Sequence, residues 1–243
     1  MKFGLFSDIH SNYDAFLEVL KIYEKEKIDK FICSGDIIGY GAEPDECIKK
    51  LKELNVLCVM GNHEYALKNE NYIQYFNDAA YLSIKWHSKN MSDNSKNYIT
   101  NISLHLKESI FEICHGSAFE PEEFHYLFSP DDYIKNFKYF ESKVLIIGHT
   151  HIPDVFYFDE TKKTFGQITE SEFMLEKNFR YIINIGSVGQ PRDKDPRACF
   201  CIYDDSENVF KIKRIEYDIK KAAKKIIEAD LPEVLAHRLE YGI

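Results

Sequence analysis

Tryptophan occurs once, no two cysteines form a C-x-x-C pair, and no apolar stretch approaches the roughly 20 residues that cross a bilayer. The last absence removes a membrane span from consideration. The opening Met1–Asp8 is too short an apolar run for a signal peptide, so a cytoplasmic location is the default expectation. Six cysteines stand at 33, 47, 58, 114, 199 and 201. Cys33, Cys58 and Cys114 fall inside apolar runs, where a free thiol behaves as a small hydrophobe, so reduced core thiols are expected rather than a disulfide framework or a zinc cluster. Positive charge is also short: 31 Lys and Arg face 40 Asp and Glu, a net charge of −9. That balance excludes a broad electrostatic footprint for duplex nucleic acid. It leaves small anionic substrates open, because bound cations reverse the sign locally.

What is present is an ordinary globular composition, 44% hydrophobic and 29% charged, on a chain of 243 residues, long enough for one substantial core. The first sixty residues alternate strand and helix patterns. Ser11 and Asp14 have capping-box spacing, and Phe16, Leu20 and Tyr23 follow at helical intervals. Pro44 suits the first turn of a second helix, with Cys47, Leu51 and Leu54 on one face. Strand, helix, strand, helix, strand with short connections implies a parallel sheet with right-handed crossovers. Residues 65–97 are Tyr- and Asn-rich, with Tyr72–Asn90 readable as helix, a helical insertion near the site. Strands are expected at Ile99–Leu106, Ser109–Cys114, Val144–Ile147, Val155–Phe158, Tyr181–Ile185, Ala198–Tyr203 and Val209–Tyr217. A C-terminal helical pair over 218–243 is split by Pro232. No linker or repeat interrupts the chain, so a single domain over 1–243 is expected, α/β in class, with two sheets face to face and helices outside.

Five short polar motifs each follow an apolar run. Asp8-Ile9-His10 follows Phe3–Phe6, Gly35-Asp36 follows Phe31–Cys33, and Gly61-Asn62-His63-Glu64 follows Leu57–Met60. His115-Gly116 follows Phe111–Cys114, and Gly148-His149-Thr150-His151 follows Val144–Ile147. An apolar run ending in glycine and polar residues marks a buried strand passing into a loop, and open α/β sheets bind ligands outside the carboxyl ends of their strands. Any one motif could be a cap or a turn. Together they collect five of the nine histidines. Asp8, His10, Asp36, Asn62, His115, His149 and His151 make a nitrogen–oxygen ligand set large enough for two cations sharing a bridging group, an arrangement suited to displacement at phosphorus.

These blocks, in this order, resemble the calcineurin-like metallophosphoesterases, whose pattern is D-x-H, G-D, G-N-H-[DE], a lone H and G-H-x-H. The stretch Asn184–Arg192 resembles the bacterial and archaeal branch of small phosphodiesterases and dinucleoside polyphosphate hydrolases. The resemblance implies a four-layer αββα sandwich of two mixed sheets. It implies one metal on Asp8, His10, Asp36 and His151, and a second on Asp36, Asn62, His115 and His149. It gives His63 the task of protonating the leaving oxygen or steadying the phosphoryl charge, with Glu64 as a carboxylate able to orient it. The implied activity is hydrolysis of a small phosphodiester or dinucleoside polyphosphate by in-line attack of a metal-bridging hydroxide. A nuclease and a protein-binding scaffold are the alternatives within the same fold. Ligands without thiolate favour Mn, Fe or Zn, with no choice among the three. One departure stands out: Ile37-Ile38-Gly39-Tyr40-Gly41 replaces the Asp-Arg-Gly of the serine/threonine protein phosphatases, so their phosphoprotein-gripping arginine is missing there.

Outside the ligand set, Arg192 carries a planar fork suited to a phosphate, against the plainer reading of an ion pair with Asp193 or Asp195. Asn62 could contact substrate as well as metal. Residues 117–129 hold Phe119, Phe124, His125, Tyr126 and Phe128, which could stack a base or simply pack under a long loop. His87, His105 and His237 have no motif around them, and Lys220–Lys225 reads as the wet face of a helix. The expected partner is a small phosphorylated substrate, with nucleotides among the candidates, and with no membrane and no extended nucleic-acid surface.

Overall fold

The computed structural model describes residues 1–243. Its two mixed six-stranded sheets lie face to face. The first holds β1 (Lys2–Phe6), β2 (Lys30–Cys33), β3 (Leu57–Cys58), β9 (Glu172–Met174), β11 (Ala198–Asp204) and β12 (Val209–Ile215), in the order β3-β2-β1-β11-β12-β9. The second holds β4 (His105–Glu108), β5 (Phe111–Cys114), β6 (Val144–Ile147), β7 (Asp154–Asp159), β8 (Thr164–Ile168) and β10 (Phe179–Asn184), in the order β4-β5-β6-β10-β7-β8. In each sheet three neighbouring strands run parallel: β1, β2 and β3 in one, β5, β6 and β10 in the other.

Period-2 side-chain alternation builds the layers. Phe3 and Leu5 of β1, Val144 and Ile146 of β6, Tyr181 and Ile183 of β10, and Cys201 and Tyr203 of β11 all meet in the core between the sheets. Their alternates face outward. Phe6, Phe200 and Ile202 pack under α1 (Tyr13–Glu26) and α2 (Pro44–Glu53), while Leu145, Ile147 and Ile182 pack under Tyr133 of α6 (Pro130–Asn136) and the following Phe137 and Phe140. The result is helix, sheet, sheet, helix, as the resemblance implies.

Between β3 and β4 lie α3 (Asn62–Lys68), a 3-10 turn at Glu70–Tyr75, α4 (Asp78–Asn90) and α5 (Asp93–Thr100). The chain ends in α7 (Ile219–Glu228) and α8 (Glu233–Tyr241). Several sequence expectations need correction. The strand read at Ile99–Leu106 is the end of α5 and the start of β4, because Ser92 caps a helix by accepting from the Ser95 amide. The helix read over Tyr72–Asn90 breaks before α4, whose cap is Asn77. Asn12, rather than Ser11, caps α1 by accepting from the Ala15 amide. Lys221 and Lys225 are not merely wetted: both bind Asp14 of α1, and Lys225 also reaches Glu43 at the start of α2, at 2.6–2.7 Å.

Candidate metal centre

The parallel strands supply the site. The loops after β1 and β2 bring Asp8 with His10, and Asp36; α3, which follows β3, opens with Asn62 and His63; the loops after β5 and β6 bring His115, His149 and His151. The loop after β10 adds Gln190 and Arg192. Five of these side chains, those of Asp8, His10, Asp36, His149 and His151, stand on left-handed backbone, with φ between 48° and 70°. Each such non-glycine residue costs about 1–2 kcal/mol, strain that is typical of functional sites. Hydrogen bonds between loops hold it: the Asp8 amide donates to Gly35 and the His10 amide to Asp36, both at 3.0 Å. Gly61 lies so close to Asp36 that an added Cβ would sit 2.1 Å from its Oδ1, so no other residue fits beside this carboxylate.

The side chains converge with their acceptors inward. Asp8 anchors Oδ2 on the His149 amide at 3.1 Å and turns Oδ1, which makes no hydrogen bond, toward His151 Nε2 at 3.1 Å. Asp36 anchors Oδ1 on the His63 amide at 3.0 Å and turns Oδ2 toward His115 Nε2 at 3.2 Å and His10 Nε2 at 3.6 Å. Asn62 Oδ1 is likewise buried and unpartnered. His10 Nδ1 meets the Ile38 carbonyl at 2.9 Å, His115 Nδ1 that of Ser34 at 2.7 Å, and His151 Nδ1 that of Gln190 at 2.5 Å. Carbonyl oxygens only accept, so these Nδ1 atoms are the donors, and Nε2 is the nitrogen each ring turns inward, with a lone pair there whenever the ring is neutral. His10 and His151 then bring two lone pairs to 3.1 Å of each other. That contact is repulsive without a cation between or beside them.

Two ligand groups result: Asp8, His10, Asp36 and His151, and Asp36, His115 and His149. Within each group the ligand atoms lie no more than 4.8 Å apart, and every member is buried. Asp36 belongs to both. Orphaned buried oxygens, converging lone pairs and an oxygen–nitrogen donor set with no thiolate fit divalent cations. The electrostatics agree. Burial raises the Asp36 carboxyl, but the facing His115 and His63 outweigh it and hold the group far below the usual carboxylate range. Burial lowers His63 and His149, while His115, against the same burial, is pushed up to about 9 by Asp36 and Asp8.

His63 sits at the edge of the cluster, Nε2 3.9 Å from Asp36 Oδ2, its ring packed on His10, Tyr40 and Phe76. Glu64 does not orient it. Its carboxylate instead accepts from the backbone amides of Asp36, Ile38 and Gly61 at 2.8–3.0 Å, tying the second motif to the third, and His63 Nδ1 has no partner. Three buried amides converging on one point outcompete a single ring nitrogen for the carboxylate.

Arg192 makes neither of the ion pairs weighed for it. Asp193 pairs with Arg214, Asp195 with Arg197, and Arg192 donates to Gln190 at 2.9 Å and the Tyr40 hydroxyl at 3.4 Å. Its guanidinium is half-buried beside His151 with no carboxylate. The aromatic loop divides: Phe124 is buried against Tyr65, Tyr72 and His115, whereas Tyr126 stacks on His149 with centroids 3.8 Å apart and planes 18° off parallel. His105 pairs with Glu112, and His237 is exposed.

Two residues with no motif also reach the site. Tyr40 lies against the His10 and His63 rings at 4.5 and 4.7 Å, and the Gly-Tyr-Gly setting that lets it turn inward was the available signal. His87 of α4, fully buried, meets Ser11 Oγ at 3.0 Å and the Ser83 carbonyl at 2.7 Å. Nothing in its local sequence distinguishes it.

Comparison with known proteins gives the same picture. The model of the calcineurin-like phosphoesterase superfamily domain matches residues 1–208. Protein MJ0912 of Methanocaldococcus jannaschii is 37% identical over 98% of this chain and 97% of its own. A metallophosphoesterase from Sphaerobacter thermophilus superposes over the whole of both chains with a TM-score of 0.85 at 29% identity. Protein PH1004 of Pyrococcus horikoshii shares the fold, with a TM-score of 0.80 at 20% identity over 100% of this chain and 98% of that one. With its cluster of buried aspartates and histidines able to bind metal at the rim of two mixed sheets, this chain belongs to the calcineurin-like phosphoesterase superfamily and is a metal-dependent hydrolase.

Proposed function

We propose that the protein hydrolyses a small phosphodiester, or the anhydride of a dinucleoside polyphosphate, at a centre of two divalent metals. Asp8, His10, Asp36 and His151 hold one metal; Asp36, Asn62, His115 and His149 hold the other. The observation that carries this reading is the membership of Asp36 in both ligand groups, its Oδ2 facing an imidazole of each. Such a pair, when bound, supplies an acidified water as nucleophile and positive charge for the attacked phosphoryl group.

The chain's own residues do the rest. The backbone carbonyls of Ile38, Ser34 and Gln190 fix the tautomers of His10, His115 and His151, so no reorientation is needed when a ligand arrives. His63 is neutral in its buried setting and keeps one N–H, which it directs to the phosphoryl or leaving oxygen. Arg192, without a carboxylate of its own, binds a substrate phosphate.

The test is a turnover screen of Mn-, Fe- and Zn-loaded protein against mononucleotides, cyclic nucleotides, dinucleoside polyphosphates and aryl phosphates. Hydrolysis of a diester or anhydride is expected. Inactivity on every phosphoester, with two metals per chain found by elemental analysis, would turn the assignment toward a scaffold.

A further inference from the structure

Beside the cluster a cavity of about 400 Å³ opens between the aromatic loop and α6, walled by Phe119, His125, Tyr126 and Tyr139 with Lys135 and Lys138. Its volume lies within the range of small-molecule sites. Tyr126 is common to both places: it stacks on the His149 imidazole and also lines the cavity, so a ligand there lies one ring's thickness from a candidate metal ligand. Phe119, Tyr126 and Tyr139 are 37%, 47% and 48% exposed, an unusual outlay of aromatic surface outside the core. They are organised, with Phe119 lying 4.7 Å from Tyr139 and parallel to His125. Lys135 and Lys138 are exposed and form none of the chain's ion pairs, although acids outnumber bases in the sequence. Asp132, the one acid in the lining, accepts from the Ser129 amide and hydroxyl at 2.9 and 2.7 Å, so two lysines face one engaged carboxylate. On the other flank of the site, the cavity bordered by Tyr65, Tyr72 and Tyr75 carries Glu122 and Glu123 instead, and would repel an anion.

We propose that the cavity lined by Phe119, Tyr126, Tyr139, Lys135 and Lys138 binds the nucleoside phosphate arm of the substrate, the base on the aromatic walls and its phosphate on the lysines. The proposal rests on the phosphoesterase reading and adds a location and a chemical class to it. It also sets the selectivity. Asn136, the amide at the cavity floor, already accepts from Ser117 Oγ and the Ala118 amide at 3.0 Å, and donates to the Asp132 carbonyl. With the oxygen and one N–H of Asn136 engaged, recognition rests chiefly on ring faces, which every base offers, and purines exceed pyrimidines through stacking area.

The test is anisotropy titration of the full-length Mn-loaded protein with 1,N6-etheno-AMP, with AMP, CMP and ribose 5-phosphate as competitors. AMP should compete roughly ten-fold better than ribose 5-phosphate, the scale of one stacked base. Phe119→Ala and Tyr139→Ala should each remove most of that preference. Lys135→Gln/Lys138→Gln, confined to exposed positions and safe for folding, should weaken AMP and flatten its salt dependence. Equal competition by AMP and ribose 5-phosphate, or wild-type affinity in both the aromatic variants and the lysine variant, overturns the pocket. Those results leave the phosphoesterase reading intact if the same preparation still hydrolyses phosphoesters, whereas tight base-dependent binding without any hydrolysis supports the pocket and sinks that reading.

Discussion

Asp36 is the residue that the two candidate ligand groups share. One of its oxygens is held by the backbone of the third motif and the other faces imidazoles from both ligand groups. Asp36→Asn removes the charge while keeping the shape, so metal content by elemental analysis should fall below half of wild type and activity with it. His63→Ala should behave differently, keeping its metals and losing about two to three orders of magnitude in kcat, the usual range for one hydrogen bond aimed at the charge of the transition state. Loss of metal in His63→Ala would make that residue a ligand rather than a donor. Arg192→Ala should raise KM more for a substrate with two or more phosphates than for one with a single phosphate; equal increases would leave the guanidinium with no phosphate to grip. At this scale the candidate ligands were legible because each follows a strand directly. The task of Glu64 was not, because three amides from distant segments reach it only in the folded chain.

Among the elements, α4 has a task that its sequence does not announce. Ser83 Oγ accepts from the Tyr40 amide, and His87 reaches Ser11, so the helix buttresses the loops that carry His10 and Tyr40. Burial lowers the His87 pKa to about 4. An unfolded histidine, near 6.5, binds a proton that the folded one refuses between those values, so stability is complete above about pH 6.5 and declines as pH falls toward 4. The loss from this one group is on the order of 2–3 kcal/mol. His87→Gln should flatten that limb of a denaturation-midpoint profile; an unchanged slope between pH 6.5 and 4 would place the acid sensitivity elsewhere. Strand patterns as regular as Val144–Ile147 and Ala198–Tyr203 were readable because both faces are apolar. β8 and β9 were missed because they are short strands, exposed along most of their length, with no buried apolar face to mark them. α6 escaped notice although Ser129, Pro130 and Asp132 form a capping box with proline at its start.

For the molecule as a whole, the cluster lies at the seam between the sheets. One ligand group takes Asp8, His10 and Asp36 from the first sheet and His151 from the second; the other joins Asp36 to His115 and His149. Metal at about one hundred times its dissociation constant should add about 2.7 kcal/mol to unfolding. For a chain of this size that is a rise of roughly 5–11 °C in Tm over chelator-treated protein, measurable by calorimetry. No shift on adding Mn, Fe or Zn would mean that the folded chain does not take up these ions. The division of labour also has a mechanical consequence. Cations seated across the seam would act as rivets between two leaves, so a pulling force that slides one leaf over the other should meet a rupture peak in loaded protein that vanishes in chelator.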